Sequence, residues 1–352
     1  MGEERNGREK TAVLICGDDG YIGYALKAHL KEKGYKVDGI DNLSRRKRVH
    51  AEGGESLIPR DVGDLPNDVL QIPTLKPYDA VIHLAQQPSA PWSMANEATC
   101  IETQMHNVAS TLHLLWLMRE SPKTHMIKLG SMGEYGTPNC NIPEGFIDDG
   151  PLEGMMFPRK PGSFYHLSKV FDSMNIDFAC RMWGLSCTDI MQGVVFGIEH
   201  GTRFDYDDYF GTVINRFCVQ AIAGVPLTVY GKGGQTRGYL PLKDSLECIT
   251  LALENPSEGY RVFNQFARCY SVREIAKVVQ KVYDKPVVIG ELPNPRVEEE
   301  SHYYNPANEH LRDLGYDPQW HLRDEVRDLL KKIEPYKDNV IESAIQPRTT
   351  WR

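Results

Sequence analysis

Tyr165 and Lys169 stand four residues apart in Tyr165-His166-Leu167-Ser168-Lys169, inside a stretch with helical patterning. That spacing puts both side chains on one helix face. An ammonium beside a phenol, joined by a cationic nicotinamide, is expected to lower the phenol pKa. The phenolate can then take a proton from a substrate hydroxyl while hydride leaves for the nicotinamide. Ser131 adds a third group. It follows the strand-like run Met126–Leu129 in Leu129-Gly130-Ser131-Met132-Gly133-Glu134-Tyr135-Gly136. A hydroxyl at a strand's carboxyl end points into a cofactor crevice, where it can donate to the oxygen that becomes a ketone. A Tyr-x-x-x-Lys pair is also a common surface feature, and such a serine is also a turn cap. The order of the parts along the chain favours chemistry.

The residues that would hold the dinucleotide lie near the start. Gly17-Asp18-Asp19-Gly20-Tyr21-Ile22-Gly23 follows the apolar run Thr11–Cys16 and opens a helical pattern over Tyr21–Lys33. Its first glycine permits a tight turn, the second lets backbone N–H groups approach a pyrophosphate, and the third lets helix pack on strand. Asp41 follows the strand-like run Lys36–Ile40, 24 residues beyond Gly17. A carboxylate there accepts from both ribose hydroxyls and repels a 2′-phosphate, so NAD is expected over NADP. In the basic run Arg45-Arg46-Lys47-Arg48, the first two guanidiniums could pack on adenine or bind phosphate; a solvated loop is the plain alternative. The expected cofactor contacts are Gly17, Asp19, Gly20, Tyr21, Ile22, Gly23, Asp41, Asn42, Arg45, Leu84, Ala85, Gln86, Asn107, Tyr165 and Lys169.

These residues require a scaffold of alternating strands and helices. Strand-like Ala80–Leu84 and helical Thr103–Glu120 and Tyr165–Trp183 continue the alternation. The pattern predicts an α/β, doubly wound Rossmann parallel sheet. Over Gly193–Gly211 it loosens into a Gly/Asp/Tyr-rich loop. Strand-like Leu227–Tyr230 and helical Asp244–Glu254 and Val272–Tyr283 then suit a smaller α+β lobe. The expected division is 10–195 for the NAD domain, with returning segments near 238–265, and 196–345 mostly for substrate.

The chain has 352 residues, 41% of them hydrophobic, and a net charge of −8. Dispersed basic residues leave no footprint for nucleic acid. None of the eight cysteines forms a CxxC, so free thiols are expected and no metal site. The first ten residues are charged and carry neither a secretory h-region nor a clean myristoylation signal. No apolar run is long enough to span a membrane, and a cytoplasmic location is expected.

The combination of GxxGxxG, a strand-end Ser and Tyr-x-x-x-Lys resembles extended short-chain dehydrogenases/reductases acting on nucleotide sugars. The closer likeness is to the UDP-sulfoquinovose synthase family. It is carried by Ser89–Met94, Lys128–Pro138, Ser163–Lys169, Gln192–Val195, Phe210–Thr212, Asn215–Gln220, Leu227–Leu240, Arg261–Phe266 and Pro293–Glu298. Met-Gly-Glu-Tyr-Gly and Asn-Pro-Arg-Val-Glu are its specific runs. The resemblance implies that UDP-glucose is oxidised at C4 with Tyr165 as base, loses water across C5 and C6, takes sulfite at C6, and receives its hydride back. The proton acceptor at C5 is His166 or Glu134. Ordinary dehydratases place an acidic pair where this chain has Met132 and Gly133, so the catalytic positions comprise Ser131, Met132, Glu134, Tyr165, His166 and Lys169.

The substrate contacts it implies are Gln87, Ser131, Gln192, Thr228, Tyr230, Gln235, Arg237, Arg296 and Glu298. The two arginines would fork onto the diphosphate. Asn107 matches the superfamily's helix-kink asparagine, and the helices around Thr103–Glu120 and Tyr165–Trp183 imply a homodimer. Three departures stand out. Ser131 replaces the family's Thr, Gln86-Gln87-Pro88 replaces Glu-Gln-Arg, and the stretch between Asp41 and Tyr78 is shorter. Pro88 removes a cation suited to sulfite, which keeps open a second reading, an NAD-dependent 4-epimerase or related enzyme that uses no sulfite. A non-catalytic NAD-binding regulator is the third, and the intact Tyr165/Lys169 pair speaks against it.

Overall fold

The computed structural model describes residues 11–45, 68–346 and Trp351. Arg46, Lys47, Arg48 and the N-terminal decapeptide lie outside the described residues, as does much of the stretch between Asp41 and Tyr78. The strands are β1 (Ala12–Cys16), β2 (Lys36–Ile40), β3 (Ala80–His83), β4 (His125–Leu129), β5 (Asn141–Ile142), β6 (Cys187–Gln192), β7 (Val194–Phe196), β8 (Leu227–Tyr230), β9 (Thr236–Pro241), β10 (Tyr260–Gln265), β11 (Arg268–Ser271), β12 (Ile289–Leu292) and β13 (Asn305–Pro306).

Six of them form one sheet in the order β10-β6-β4-β3-β1-β2, and every pairing in it is parallel. The central runs Ala-Val-Ile-His and His-Met-Ile-Lys-Leu are buried along their whole length. Strands covered by helices on both faces need that continuous run rather than an alternation. Because β1 pairs with β2 on one side and β3 on the other, the order in which strands are added reverses there. A crevice opens at the carboxyl ends of such strands.

The helices are α1 (Tyr21–Glu32), α2 (Ala90–Ser93), α3 (Glu97–Arg119), α4 (Phe164–Trp183), α5 (Val213–Ala223), α6 (Leu242–Glu254), α7 (Val272–Val282), α8 (Glu309–Asp313) and α9 (Leu322–Ile333). α3 begins six residues before the expected Thr103. Asn96 and Thr99 form a capping box, the Asn96 side chain accepting from the Thr99 N–H at 3.0 Å, which satisfies donors that would otherwise be stranded at a helix start. α4 starts at a Ser163 cap and stops at Gly184 in the left-handed conformation. It packs along α3. Together they turn Ile101, Met105, Leu112, Trp116, Phe171, Met174, Phe178 and Met182 outward.

The smaller lobe holds a three-stranded sheet β11-β9-β7 and the pair β12-β8. Val194–Phe196, expected as loop, is a strand because β9 supplies a parallel partner. Of the expected returning segments, Tyr260–Gln265 joins the edge of the main sheet, whereas Thr236–Pro241 belongs to the smaller one. One continuous apolar core runs from Val13 and Ile127 through Phe196 and Phe217 to Ile275 and Leu329, so the lobes share an interior. Among the described residues, no helix is long and apolar enough to cross a membrane.

Candidate active site

A cleft of about 370 Å³ lies along the carboxyl ends of β1, β3, β4 and β6. Its floor requires glycine. Gly17 has φ +88°, and a Cβ there would lie 2.6 Å from the Leu84 carbonyl carbon; one on Gly23 would lie 2.0 Å from the Gly17 oxygen. α1 starts at Gly20 without a side-chain cap, so the turn is built from backbone, as a pyrophosphate cradle must be. Asp41 is aimed by two backbone donors, Asp19 N–H at 3.1 Å and Leu43 N–H at 2.7 Å. Burial raises its pKa, and those two hydrogen bonds oppose the rise. The residues therefore fit a dinucleotide with free ribose hydroxyls.

Arg45 has a use not foreseen from sequence. Its guanidinium lies 3.4 Å from the Phe210 ring centroid, and one Nη donates to Asp205 at 3.2 Å and Asp207 at 3.1 Å. It thus spans the cleft from the β2 loop to the loop after β7. A guanidinium held by two carboxylates is poorly placed to receive a 2′-phosphate.

All the expected cofactor residues line the cleft except Asp19 and Asn107. Asp19 contributes its N–H to Asp41. Asn107 is buried, accepts from the Gln87 N–H at 2.8 Å and donates to Ser168 at 2.9 Å, so it holds α3 to the β3 loop and to α4.

Tyr165, Lys169 and Ser131 meet at the centre of the cleft. The Ser93 hydroxyl accepts from the Tyr165 backbone N–H at 3.0 Å, which ties α2 to the start of α4. The Lys169 ammonium donates to Gln86 Oε1 and, at 2.6 Å, to the Leu129 carbonyl. Gln86 Nε2 in turn donates to Asp172 at 2.7 Å. Burial, then the Lys128 charge, brings the Lys169 ammonium down to about 8. Burial raises the Asp172 carboxyl to about 6.

The expected lowering of the phenol by Lys169 is not what the structure gives. The Lys169 ammonium is 5.8 Å from the Tyr165 ring centroid. Burial and then Glu134 push the phenol up to about 12, while Lys128 and a hydrogen bond with Ser131 pull it down. A nicotinamide, when bound, adds a positive charge that acts in the lowering direction.

Of the remaining catalytic positions, Met132 is buried in a small apolar cluster with Tyr135, Ile142, Met191 and Val262. It offers packing, not chemistry. Glu134 is also fully buried and does not line the cleft. It accepts from the Ser131 N–H at 3.1 Å and from Ser173 at 2.9 Å. His166 is half-buried and, like Glu134, does not line the cleft, with Nδ1 at 2.9 Å from the Ser163 hydroxyl. A Cβ on Gly133 would lie 2.2 Å from His166 Nε2. The missing side chain at 133 is therefore the space the imidazole occupies. Burial, then Arg296 and Arg237, lower His166 to about 3, leaving it neutral.

Among the expected substrate residues, Gln87, Ser131 and Gln192 line the cleft. The Gln87 side chain turns inward to Thr103, 2.7 Å away, and to Ser89. Thr228 is bonded to Gln220 at 2.9 Å and Tyr230 to Asp208 at 3.3 Å. Gln235 is buried with an unpartnered Nε2. Glu298 accepts from Arg237 at 2.8 Å and from Asn294 at 3.2 Å, a partner for an arginine rather than for a phosphate. Arg296 is close enough to Glu298, Arg237, Arg216 and Tyr230 for their charges to interact. Arg216, 3.4 Å from Asp208, was not singled out from sequence, and neither were Arg203, Asp205 and Phe210 of the cleft wall. For Arg203 and Asp205 the only signal was a Gly/Asp/Tyr-rich loop, whereas Phe210 and Arg216 sat unremarked in the matching runs Phe210–Thr212 and Asn215–Gln220.

Residues 13–264 match the model of the NAD dependent epimerase/dehydratase family. The chain belongs to this family. Among its relatives, the chloroplastic UDP-sulfoquinovose synthase of Spinacia oleracea is 43% identical, over 99% of this chain and 81% of its own length. The UDP-sulfoquinovose synthase of Sulfolobus acidocaldarius is 42% identical over 97% of each chain. The aligned stretches run to 392 and 385 positions against 352 residues here, so both relatives carry insertions relative to this chain. Family members also share the fold. A variant of the UDP-glucuronic acid 4-epimerase of Bacillus cereus superposes with a TM-score of 0.73 at 20% identity, covering 92% of this chain and 99% of that one. The UDP-glucose 4-epimerase of Thermotoga maritima gives 0.72 at 21%, with the same coverage. The cofactor is NAD, on which the family depends.

The contact across the cleft mouth makes a prediction. Arg45→Ala should release NAD about tenfold faster, a loss of about 1.4 kcal/mol, without gaining affinity for NADP because Asp41 remains. Exchange of bound NAD for labelled NAD measures this, and an unchanged exchange rate contradicts it.

Proposed function

We propose that this chain converts UDP-glucose and sulfite to UDP-sulfoquinovose. What carries the reading is the extent of the likeness to the two UDP-sulfoquinovose synthases, which at 43 and 42% identity runs over nearly the whole chain and so through both walls of the cleft. When bound, NAD supplies the hydride acceptor at C4 and later the donor. Tyr165, assisted by the Ser131 hydroxyl, takes the C4 hydroxyl proton and later returns it. Lys169 holds the ribose side of the pocket through an ammonium already fixed by Gln86 and Leu129. The C4 ketone acidifies the C5 proton, water leaves C6, and sulfite adds there.

For the C5 proton we favour His166 over Glu134. His166 is neutral and beside Tyr165, their ring centroids 4.9 Å apart, whereas Glu134 is fully engaged inside. The two arginines that depress His166 are the ones assigned to the diphosphate. A bound UDP-sugar would offset their charge and make the imidazole a stronger base.

Pro88 supports a second reading, a 4-epimerase that uses no sulfite, because it lines the cleft where the family pattern has arginine. Incubation of the NAD-loaded enzyme with UDP-glucose, with and without sulfite, separates the two by mass spectrometry. A nucleotide sugar heavier by one SO₂, formed only with sulfite and without accumulating NADH, is the expected product. A 4-epimer of unchanged mass in both reactions would establish the second reading.

Tyr165→Phe should lower turnover on the order of 10²–10⁴-fold and retain NAD, since the ring and helix survive. Lys169→Met should lose NAD as well as rate. Near-native turnover of Tyr165→Phe would overturn the assignment of the base.

We further propose a homodimer joined through α3 and α4. Met105, Trp116, Met174, Phe178 and Met182 are each more than half exposed on their outer faces. A contiguous apolar surface of that kind marks an interface, and a two-fold pairing of two helices makes a four-helix contact. Light scattering at micromolar concentration should give twice the monomer mass, and Met105→Glu with Met174→Glu should give the monomer.

A further inference from the structure

β4 carries a lysine where a strand covered on both faces has no room for an unpaired charge. Lys128 is fully buried, and its ammonium is shared between the two elements that bear the proton-transfer groups. On one side it lies 3.5 Å from Glu134 Oε1, the same oxygen that accepts from the Ser131 N–H. On the other it donates to the backbone carbonyl of Lys169 at 3.4 Å and to the Ser173 hydroxyl at 3.2 Å, both on α4. Asp189 of β6 completes the set at 3.2 Å. We propose that Lys128 is a positioning residue for proton transfer, its ammonium fastening the Ser131 turn to the helix that carries Tyr165 and Lys169. The proposal rests on the catalytic reading of Ser131, Tyr165 and Lys169.

The surrounding charges fit this role. Burial would lower the Lys128 pKa, but Asp189, Glu134 and Asp172 outweigh it, and the ammonium stays charged. Behind them Tyr260 of β10 donates to Asp189 at 2.9 Å, and Arg159 lies 3.9 Å from Glu134. His83 of β3 feels the Lys128 charge too, and burial keeps it neutral. The phenol of Tyr165 is faced by Glu134, Lys128, Ser131 and Asp172, with His166 and Lys169 alongside. In that group the Lys128 charge lowers both the phenol and the Lys169 ammonium. Removing it therefore raises both.

The test uses NAD-loaded protein and two variants. Lys128→Met strips the ammonium but leaves Asp189 and Glu134 buried without it, a change that can unfold a protein. Lys128→Met with Asp189→Asn removes one charge of each sign and keeps the test alive if the single variant does not fold. In the folded variants, turnover with UDP-glucose and sulfite should fall about 100-fold, the cost of a small misplacement of reacting groups. The second readout needs no substrate. Tyrosinate absorbance, taken as the difference from the same protein carrying Tyr165→Phe, should show the Tyr165 ionisation moved to higher pH by about one unit. A merely structural lysine would leave turnover per folded molecule at the wild-type value, and the titration reports separately whether its charge reaches Tyr165. A folded variant with wild-type turnover and an unmoved Tyr165 titration overturns the proposal. If the wild type makes no sulfonated product, the proposed function fails, and the titration still decides the role of Lys128.

Discussion

Beneath the cleft lies a cluster of buried charge that balances. Lys128, Lys169 and the Arg159 guanidinium face Glu134, Asp172 and Asp189, three cations and three anions whose side chains are almost entirely removed from water. Its members come from β4, the turn after it, α4, β6 and the loop before α4, which are the elements that meet at the catalytic centre. Breaking a buried pair by removing one partner typically costs about 3–5 kcal/mol. The arrangement therefore tolerates few alternatives, and the cost of each misplacement holds Ser131, Tyr165 and Lys169 in one geometry. An apolar core of the same volume could be as stable, but it would not fix the register between strand end and helix as sharply.

Charge also joins the lobes. Burial keeps the imidazole of His166 on α4 neutral, and Arg296 and Arg237, from the smaller lobe, act on it in the same direction. The continuous core beneath them means that the nucleotide end and the reacting end of the cleft are parts of one packed body. Binding at one end can then be felt as an electrostatic change at the other without any movement of the backbone.

The scaffold was legible in the sequence because its signals are local. A glycine triplet between an apolar run and a helix, an acid at the end of the next strand, and a Tyr-x-x-x-Lys pair are each contained in a few residues, and they fall along one cleft. What could not be read depends on partners far along the chain. Val194–Phe196 becomes a strand only because β9 lies beside it. Arg45 finds Asp205, Asp207 and Phe210 some 160 residues away. Lys128 looked like one residue of a matching run, and only the fold brings Asp189 and Ser173 to it. The direction of the phenol's shift was misjudged for the same reason: the neighbouring lysine was visible in the sequence, whereas burial and Glu134 were not. Glu134 itself looked like a candidate base and is the bonded support of the serine turn.

The vacancy at position 133 bears on how such activities can be interconverted. The imidazole of His166 occupies the volume that any side chain at 133 would need, and the dehydratase pattern puts an acid there. Introducing that acid alone would evict the histidine, and replacing the histidine alone would leave a hole with no acid to fill it. The two positions are therefore epistatic. If His166 takes the C5 proton as proposed, filling position 133 displaces it, so the two chemistries lie on separate slopes of the same fold's landscape.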